Sequence, residues 1–305
     1  MMGLESGRNN VIQLSDRLAE KGAFLGKTPK KVRQSNTRIM AITSGKGGVG
    51  KTNIVANLGF SLTQLGKKVM ILDADLGLGN MDVLLGLAPK YNFSHVVMGT
   101  KSISEIVIPG PGDMKILPAS SGIEELTRLT DKQKSRLLTS LDLMLDSIDI
   151  LLIDTGAGIS ENVMYFNTSA QEIIVVVSPE PTSVTDAYAL MKVLSLDYSE
   201  KNFNLVVNLA KTPKEANELY GQLKLVTDRF LGISMEYMGY VLADDRVKEG
   251  VKLQKIVSEI SPNTQASKCF AALAKKICET PAPRLPGGGS PKLFWKSMVR
   301  RNSSQ

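Results

Sequence analysis

The sequence feature that most constrains this chain is the glycine-rich stretch Gly45–Thr52, which reads G-K-G-G-V-G-K-T. The apolar run Ile39–Thr43 before it predicts a strand, and the run Lys51–Leu65 after it predicts a helix. A glycine turn between a strand and a helix can bind phosphate, because backbone N–H groups and the positive end of the helix dipole point at one place. The stretch also meets the P-loop spacing G-x-x-x-x-G-K-[ST].

The residues of this loop have separate predicted roles. Lys51 is expected to contact the β- and γ-phosphates of a nucleotide, and the Thr52 hydroxyl is expected to bind Mg²⁺. Lys46 is not required by the general pattern, so it either adds positive charge at the phosphates or points outward to another subunit. The predicted nucleotide contacts in and beside the loop are Gly45, Lys46, Gly47, Gly48, Val49, Gly50, Lys51, Thr52 and Asn53.

Three aspartates are candidates for the same centre. Asp73 and Asp75 end an apolar run, and carboxylates at i and i+2 of a strand end point the same way. Four apolar residues precede Asp154, which is the Walker B form whose carboxylate holds Mg²⁺, usually through water. Gly156 and Gly158 allow the following backbone to move towards the γ-phosphate.

Strand-like and helix-like runs alternate from Ile39 onward. This alternation predicts an α/β fold, a doubly wound, mostly parallel sheet with helices on both faces. Ligands of such sheets bind beyond the carboxyl ends of the strands. The predicted strands are Ile39–Thr43, Lys68–Asp73, Met114–Pro118, Ile150–Asp154, Glu172–Val177, Asn204–Asn208 and Ser234–Val241. The predicted helices include Lys51–Leu65, Asp131–Asp146, Ser183–Leu196, Pro213–Phe230 and Gln265–Cys278.

The scarcity of cysteine and histidine argues against several kinds of site. Cys269 and Cys278 are too few and too widely spaced for a zinc or iron–sulfur set, and they are expected to be thiols of a reducing compartment. His95 is the single histidine of the sequence, which leaves no basis for a histidine metal cluster. A run of about 18 apolar residues and a signal-peptide segment are both lacking, so a cytoplasmic protein is expected.

The positive charge of the chain lies at its two ends. Residues 1–38 carry a net charge of +5 and residues 281–305 another +5, which leaves −3 of the total +7 for the core. Charge on tails suits a membrane surface or an acidic partner better than it suits DNA. The predicted parts are a basic N-terminal arm (1–38) with a short helix, a P-loop domain (39–280), a Pro/Gly linker (281–291) and an amphipathic tail (292–305).

The tail predicts a helix that lies on a membrane surface. At 100° per residue, four apolar side chains fall within an arc of about 140°, with three basic ones opposite. The apolar set is Phe294, Trp295, Met298 and Val299, and the basic set is Lys292, Lys296 and Arg300. An apolar face after a flexible linker has no core to bury it, which is typical of an interfacial helix. Disorder, or docking on the chain's own domain, is the alternative.

The motifs together resemble the MinD/ParA family of deviant Walker A ATPases. The loop K-G-G-V-G-K-T carries that family's extra lysine, and D-A-D-L-G-L-G-N matches its first switch segment. The later runs D-T-G-A-G-I-S and S-P-E-P-T-S-V-T-D-A-Y-A-L are similar to the flagellar-number regulators of the FlhG/FleN branch. The resemblance runs from about Ile39 to Cys278, and the basic tail extends it.

This resemblance implies an ATP-hydrolysing homodimer that uses ATP and Mg²⁺. In the family, the position of Lys46 reaches the partner's nucleotide and that of Asp75 positions the attacking water. The position of Asp186 belongs to a dimer contact and that of Asn208 binds adenine, with Asp244 expected on the other side of the base. The implied catalytic set is Lys46, Lys51, Asp75 and Asp154, and the implied metal set is Thr52, Asp73 and Asp154.

The resemblance also implies a cellular role. Family members of this branch go to the inner face of the cell membrane in an ATP-dependent way and restrain flagellar number. Their partners are the flagellar SRP-type GTPase FlhF, flagellar switch proteins and, in some members, the flagellar transcription activator, and no direct nucleic-acid contact is expected. The arm run Ile12–Leu18 lacks the D-Q-A-x-x-L-R element of members that stimulate the GTPase, so that activity is in doubt. A ParA-like DNA-partitioning ATPase and a MinD-like cell-division regulator remain alternatives.

Overall fold

A computed structural model describes residues 37–75, 80–118, 139–141 and 143–282, which belong to one compact unit. The N-terminal arm up to residue 36, most of the Pro/Gly linker and the whole tail lie outside the described residues. Within the described ranges, no helix is both long and apolar enough to cross a bilayer.

One sheet of eight strands forms the centre of the described domain. The strands are β1 Arg38–Ser44, β2 Val69–Ala74, β3 Ile108–Pro109, β4 Lys115–Pro118, β5 Ile150–Ala157, β6 Glu172–Val177, β7 Asn202–Ala210 and β8 Ser234–Leu242. Their order across the sheet is β3-β4-β2-β5-β1-β6-β7-β8, and every pair is parallel except β3 with β4. The predicted doubly wound, mostly parallel sheet is therefore confirmed.

Helices cover both faces of this sheet. They are α1 Lys51–Gln64, α2 Met81–Leu84, α3 Phe93–Val97, α4 Ile103–Ile106, α5 Glu161–Ser169, α6 Pro181–Asp197, α7 Pro213–Phe230, α8 Asp245–Lys252, α9 Val257–Ile260 and α10 Gln265–Glu279. Of the predicted helix Asp131–Asp146, only residues 139–141 and 143–146 are described, and they are helical up to residue 145. The short helices α2, α3, α4 and α9 were not predicted, because segments of four or five residues show no clear period. The longer helices α5 and α8 are also not among the predicted ones.

The central strand β1 shows how the core is divided. All of its residues are buried, and consecutive side chains point to opposite faces of the sheet. Met40 belongs to the cluster that contains Ile54 of α1 and Phe270 of α10. Its neighbour Ile39 belongs to the cluster on the other face, with Phe166 of α5. The continuous apolar run predicted β1 correctly, because helices cover both faces of the sheet at this strand.

The predicted ends of some elements differ from the observed ones. Helix α6 begins at Pro181 rather than at Ser183, because Pro at the first helical position has its φ already set and needs no N–H partner. Strand β5 continues past Asp154 to Ala157, so Gly156 still lies within the strand. Strand β3 was missed because two residues on an antiparallel edge carry no readable pattern.

A buried ion pair stabilises the sheet edge that lies opposite the glycine loop. The Arg38 guanidinium at the start of β1 contacts the Glu172 carboxylate of β6, with Nη2 donating to Oε2 at 2.7 Å. Arg38 Nη1 also donates to the carbonyls of Ile277 and Thr280, at 2.5 and 2.9 Å. Both charged side chains are only 8% exposed. Arg38 therefore joins β1, β6 and the end of α10.

We expect the Glu172→Ala variant to lose about 3–5 kcal/mol of unfolding free energy, because it leaves the Arg38 charge buried without its carboxylate. Urea unfolding of the nucleotide-free protein measures this loss. Glu279→Ala is the matched control, since it breaks the exposed pair with Lys275 and should cost less than about 1 kcal/mol. Equal losses in the two variants would contradict this account of Arg38.

Candidate functional site

The glycine-rich loop lies between β1 and α1, at the carboxyl edge of the parallel strands. Gly50 is the residue before the first turn of α1 and has a left-handed backbone, with φ of 85°. Lys51 is the first residue of the helix, so its free N–H group and those of its neighbours face the loop. The structure thus places the predicted phosphate-binding residues at a helix N-terminus.

The loop is held between two elements that are distant in sequence. A Cβ atom added to Gly45 would lie 2.1 Å from the backbone oxygen of Asp186 in α6, so only glycine fits there. On the other side, the Asn208 side chain at the end of β7 donates through Nδ2 to the Val49 carbonyl at 2.7 Å. The loop is therefore clamped by α6 and β7.

Lys51 and Asp154 form a buried ion pair beneath the loop. Lys51 Nζ lies 3.2 Å from Asp154 Oδ1, and the two side chains are 9% and 2% exposed. The Thr52 side chain is also hydrogen-bonded to Asp154. The two loop residues predicted to bind phosphate and metal thus converge on the predicted Walker B aspartate.

The two predicted metal carboxylates lie side by side. Strand β2 pairs with β5 so that Asp73 is the direct neighbour of Asp154. Burial raises the pKa of Asp73 from 3.8 to about 7, and the nearby Asp154 carboxylate adds to this rise. Burial also raises the pKa of Asp154, although Lys51 opposes that shift. Adjacent buried carboxylates next to a lysine and a hydroxyl form an oxygen-rich set that fits a Mg²⁺ ion.

Asp75, in the first switch segment, lies close to the second switch segment, the D-T-G-A-G-I-S run of residues 154–160. It is half-buried and lines a cavity of about 460 Å³ together with the loop residues. Asp75 Oδ1 would be 3.5 Å from a Cβ atom at Gly156, so the two switch segments lie close together. The N–H group of Gly158 donates to the Ser44 carbonyl at 2.9 Å, which joins the second segment to β1.

Lys46 contacts residues at the start of α6 in its own chain. Its Nζ atom donates to the Glu180 carboxylate, just before α6, and to Thr182 Oγ1 at 2.9 Å. The Lys46 and Glu180 side chains are 34% and 59% exposed. This contact was not predicted, although opposite charges in the loop and in the S-P-E-P run were a usable signal.

A second cavity, of about 470 Å³, adjoins the first at Gly48, Gly50 and Asn53. It contains both residues predicted to contact a base, Asn208 and Asp244. The Asp244 carboxylate accepts backbone hydrogen bonds from Arg246 at 3.0 Å and from Ala266 at 3.2 Å, and so caps α8 and meets the start of α10. Asp244 therefore has a structural role in positioning these two helices and also lines the cavity.

The remaining predicted site residues are Asp186, which the structure describes, and the tail residues, which it does not. The Asp186 backbone packs on Gly45 while its side chain is half-buried, so its structural contact is with the loop of its own chain. The tail residues Phe294, Trp295, Met298, Val299, Lys292, Lys296 and Arg300 lie outside the described residues. Sequence reasoning missed Val251, which lines both cavities, because a lone valine in a helix carries no functional signal.

The strand, glycine loop, buried lysine and paired carboxylates define a P-loop nucleoside triphosphatase. A family profile described as "AAA domain" matches residues 37–207. The chain is 43% identical to the antiactivator FleN of Pseudomonas aeruginosa, over 82% of this chain and 90% of that one. It is 34% identical to the flagellum site-determining protein YlxH of Helicobacter pylori, over 90% and 94%.

Solved structures show the same fold. The septum site-determining protein MinD of Pyrococcus horikoshii, complexed with Mg-ADP, aligns with a TM-score of 0.63 at 24% identity, over 80% of this chain and 96% of that one. The chain belongs to the MinD/ParA family of ATPases, in the branch that contains FleN.

The packing of Gly45 gives a test of the loop geometry. We expect Gly45→Ala to lower the melting temperature of the nucleotide-free protein, because the new methyl group would overlap the α6 backbone and force it to shift. In Gly47→Ala the added Cβ atom meets no atom within 4 Å, so the unfolding free energy of that variant should stay within about 0.5 kcal/mol of the wild-type value. Thermal unfolding of the two variants decides the point, and equal melting would contradict the close packing on α6.

Proposed function

We propose that this ATPase is a dimerisation switch that acts at the membrane and regulates flagellar number and assembly. ATP and Mg²⁺ would join two subunits, and hydrolysis would separate them. The observation that carries the proposal is the position of Lys46, which lines the nucleotide cavity, is about one-third exposed and is held by the exposed Glu180 carboxylate and by the Thr182 hydroxyl. The identity with flagellar relatives supports the flagellar role over a cell-division role.

Within one subunit, the buried residues are suited to hold the triphosphate. Lys51 would exchange its contact with Asp154 for the β- and γ-phosphates, which keeps the buried ammonium paired with negative charge. Thr52, Asp73 and Asp154 supply the oxygen atoms that would hold Mg²⁺. When bound, Mg²⁺ would neutralise part of the phosphate charge. Asp75, beside Gly156, would orient the attacking water.

Base recognition is assigned to the second cavity. Asn208 keeps its Oδ1 atom for a ligand, because the one hydrogen bond described for its side chain uses Nδ2 on Val49. Asp244 lies in the same cavity. Because the Asn208 amide also holds the loop, it would join base binding to the shape of the phosphate site.

The ion pair of Lys46 with Glu180 explains how dimerisation could be reversible. A pair that is this exposed contributes about 0–1 kcal/mol, so Lys46 can leave Glu180 at little cost. A nucleotide of a second subunit, with several negative charges, would be a stronger partner. Asp186 lies in α6, which begins directly after Glu180, and would belong to the same interface.

Membrane attachment is assigned to the tail. Its four apolar residues and three basic residues suit an anionic lipid surface, where each basic residue adds about 1 kcal/mol. A single copy would bind weakly because the helix must be ordered on binding. Two copies on a dimer would bind much more tightly, which would make membrane association depend on ATP. The GTPase FlhF, flagellar switch proteins or the flagellar transcription activator would be the partners.

The role of Lys46 can be tested by mass measurements with ATP and with ADP. We expect wild type to form a dimer with ATP only, and Lys46→Ala to remain monomeric although it still binds ATP. Lys51→Ala should lose ATP binding and therefore also the dimer. Lys224→Ala, which breaks an exposed pair with Asp228 on α7, is the control and should dimerise normally. ATP-dependent dimers of Lys46→Ala as stable as those of wild type would show that this mechanism is wrong.

The tail can be tested by flotation with vesicles that contain anionic phospholipid. We expect wild type with ATP to float with the vesicles and Trp295→Asp to remain in the unbound bottom fraction, because a charge on the apolar face opposes its burial in lipid. Trp295→Phe keeps an aromatic side chain and should float nearly as well as wild type. Unchanged flotation of Trp295→Asp would rule out the tail as the anchor.

A DNA-partitioning ATPase of the ParA type is the second candidate. It would need a basic surface on the folded domain, but residues 39–280 carry a net charge of −3. Salt-dependent binding of the ATP-loaded protein to nonspecific DNA, retained after deletion of residues 290–305, would favour it over the membrane switch.

A further inference from the structure

Two helices that line the nucleotide cavities end against each other. Helix α2 ends with a closing bond from the Leu87 N–H to the Asp82 carbonyl at 2.8 Å. Helix α8 ends in the same way, with the Lys255 N–H donating to the Gly250 carbonyl at 2.9 Å. Each ending needs one residue with a left-handed backbone. These residues are Gly86 in the first and Gln254 in the second, with φ of 62° and 55°.

Glutamine is an unusual choice for this position. A Cβ atom crowds the following carbonyl in the left-handed region, so glycine or asparagine is normally found there. Among the described non-glycine residues, only Asp113, Ser199, Leu209 and Gln254 have a positive φ. The side chain of Gln254 is exposed, so packing in the core does not explain why glutamine occupies the position.

The Gln254 side chain reaches across to the other helix end. Its Nε2 atom donates to the Val83 carbonyl at 3.2 Å, near the end of α2. Its own Cβ atom lies 3.2 Å from where a Cβ on Gly86 would be, so the two left-handed residues are packed against each other. The Val83 carbonyl also accepts from the Gly86 N–H at 3.3 Å, so Gln254 adds a second donor, from another helix end, to the end of α2.

The two helices belong to different halves of the nucleotide site. Helix α8 lines the base-side cavity through Asp245, Val247 and Lys248. Helix α2 lines the phosphate-side cavity through Val83 and Leu84, and it follows Asp75 in the chain by a few residues. Val251 of α8 lines both cavities.

The chain that follows the C-terminal end of α8 is fixed as well. The short helix α9, which follows it, is tied to α1 because the Ser258 N–H donates to the side chain of Asn57 at 3.0 Å. Asn57 in turn donates to the carbonyl of Asn53, which lines both cavities. The segment that carries Gln254 is therefore bonded to α1 on one side and to α2 on the other.

We propose that Gln254 is a positioning residue that couples occupancy of the base-side cavity to the placement of α2. A nucleotide with its base in that cavity would hold α8, and the Gln254–Val83 hydrogen bond would hold α2 in its place at the phosphate-side cavity. The proposal rests on the proposed function in one respect, the binding of the base in the second cavity.

The first test uses hydrogen exchange of the backbone amides of residues 80–87, which needs no hydrolysis. Wild type with Mg-ADP should exchange these amides more slowly than wild type with Mg-pyrophosphate, which has no base. In Gln254→Gly, which keeps the left-handed backbone, this difference should disappear while ADP still binds. Equal exchange with the two ligands in wild type, or an undiminished difference in the variant, would overturn the coupling.

The second test is steady-state ATP hydrolysis. Loss of one neutral hydrogen bond should lower kcat of Gln254→Gly by about twofold to tenfold, with KM for ATP changed less than about twofold. Gln254→Asn tolerates the backbone but is one methylene too short to reach Val83, so it should resemble Gln254→Gly. Wild-type kcat in both variants would overturn the proposal.

Ser199→Gly is the matched control, because it places glycine at another position with a left-handed backbone, and Ser199 lines neither nucleotide cavity. It should keep wild-type kcat and exchange, and both glycine variants should melt no lower than wild type because strain is relieved. A protein that stays monomeric with ATP would overturn the dimer switch, but the exchange result with ADP would still decide whether Gln254 couples the cavities.

Discussion

The burial of Lys51 and Asp154 under the glycine loop is the constraint on which the site depends. An isolated buried ion costs several kcal/mol, so each of these charges must face an opposite charge at every stage. In the nucleotide-free protein they face each other at 3.2 Å. Phosphate oxygens and a metal ion would satisfy the same two groups separately. The pair is thus a resting arrangement that a nucleotide can replace without leaving a charge unpaired.

Three ion pairs of similar chemistry differ in burial, and their roles differ accordingly. Arg38–Glu172 is buried, carries additional hydrogen bonds to α10 and has no competing ligand, so it is a permanent part of the fold. Lys51–Asp154 is buried but opens onto a cavity, so a ligand can replace it. Lys46–Glu180 is exposed and weak, which suits a contact that must be released. Access to a ligand cavity or to solvent, rather than distance, separates the structural pair from the exchangeable ones.

Much of the fold followed from local pattern. The seven longer strands were predicted, most clearly the central ones β1, β2, β5 and β6, whose runs are buried on both faces, and the P-loop identified the edge where ligands bind. The short edge strand β3 and the four-residue helices were missed, because elements of this size are formed by packing on the sheet rather than by their own period. The start of α6 was placed two residues late, at Ser183 rather than at Pro181.

The sequence by itself determined which residues carry the chemistry: the loop lysine, the hydroxyl beside it and the aspartates at the strand ends. These were readable because each belongs to a short motif whose spacing is set by one strand, turn or helix. Tertiary structure alone decided what those residues contact. Lys46 meets Glu180 across 134 residues, Asn208 meets Val49 across 159, and Gln254 meets Val83 across 171. Contacts over such separations depend on the order of strands in the sheet, which no local pattern encodes.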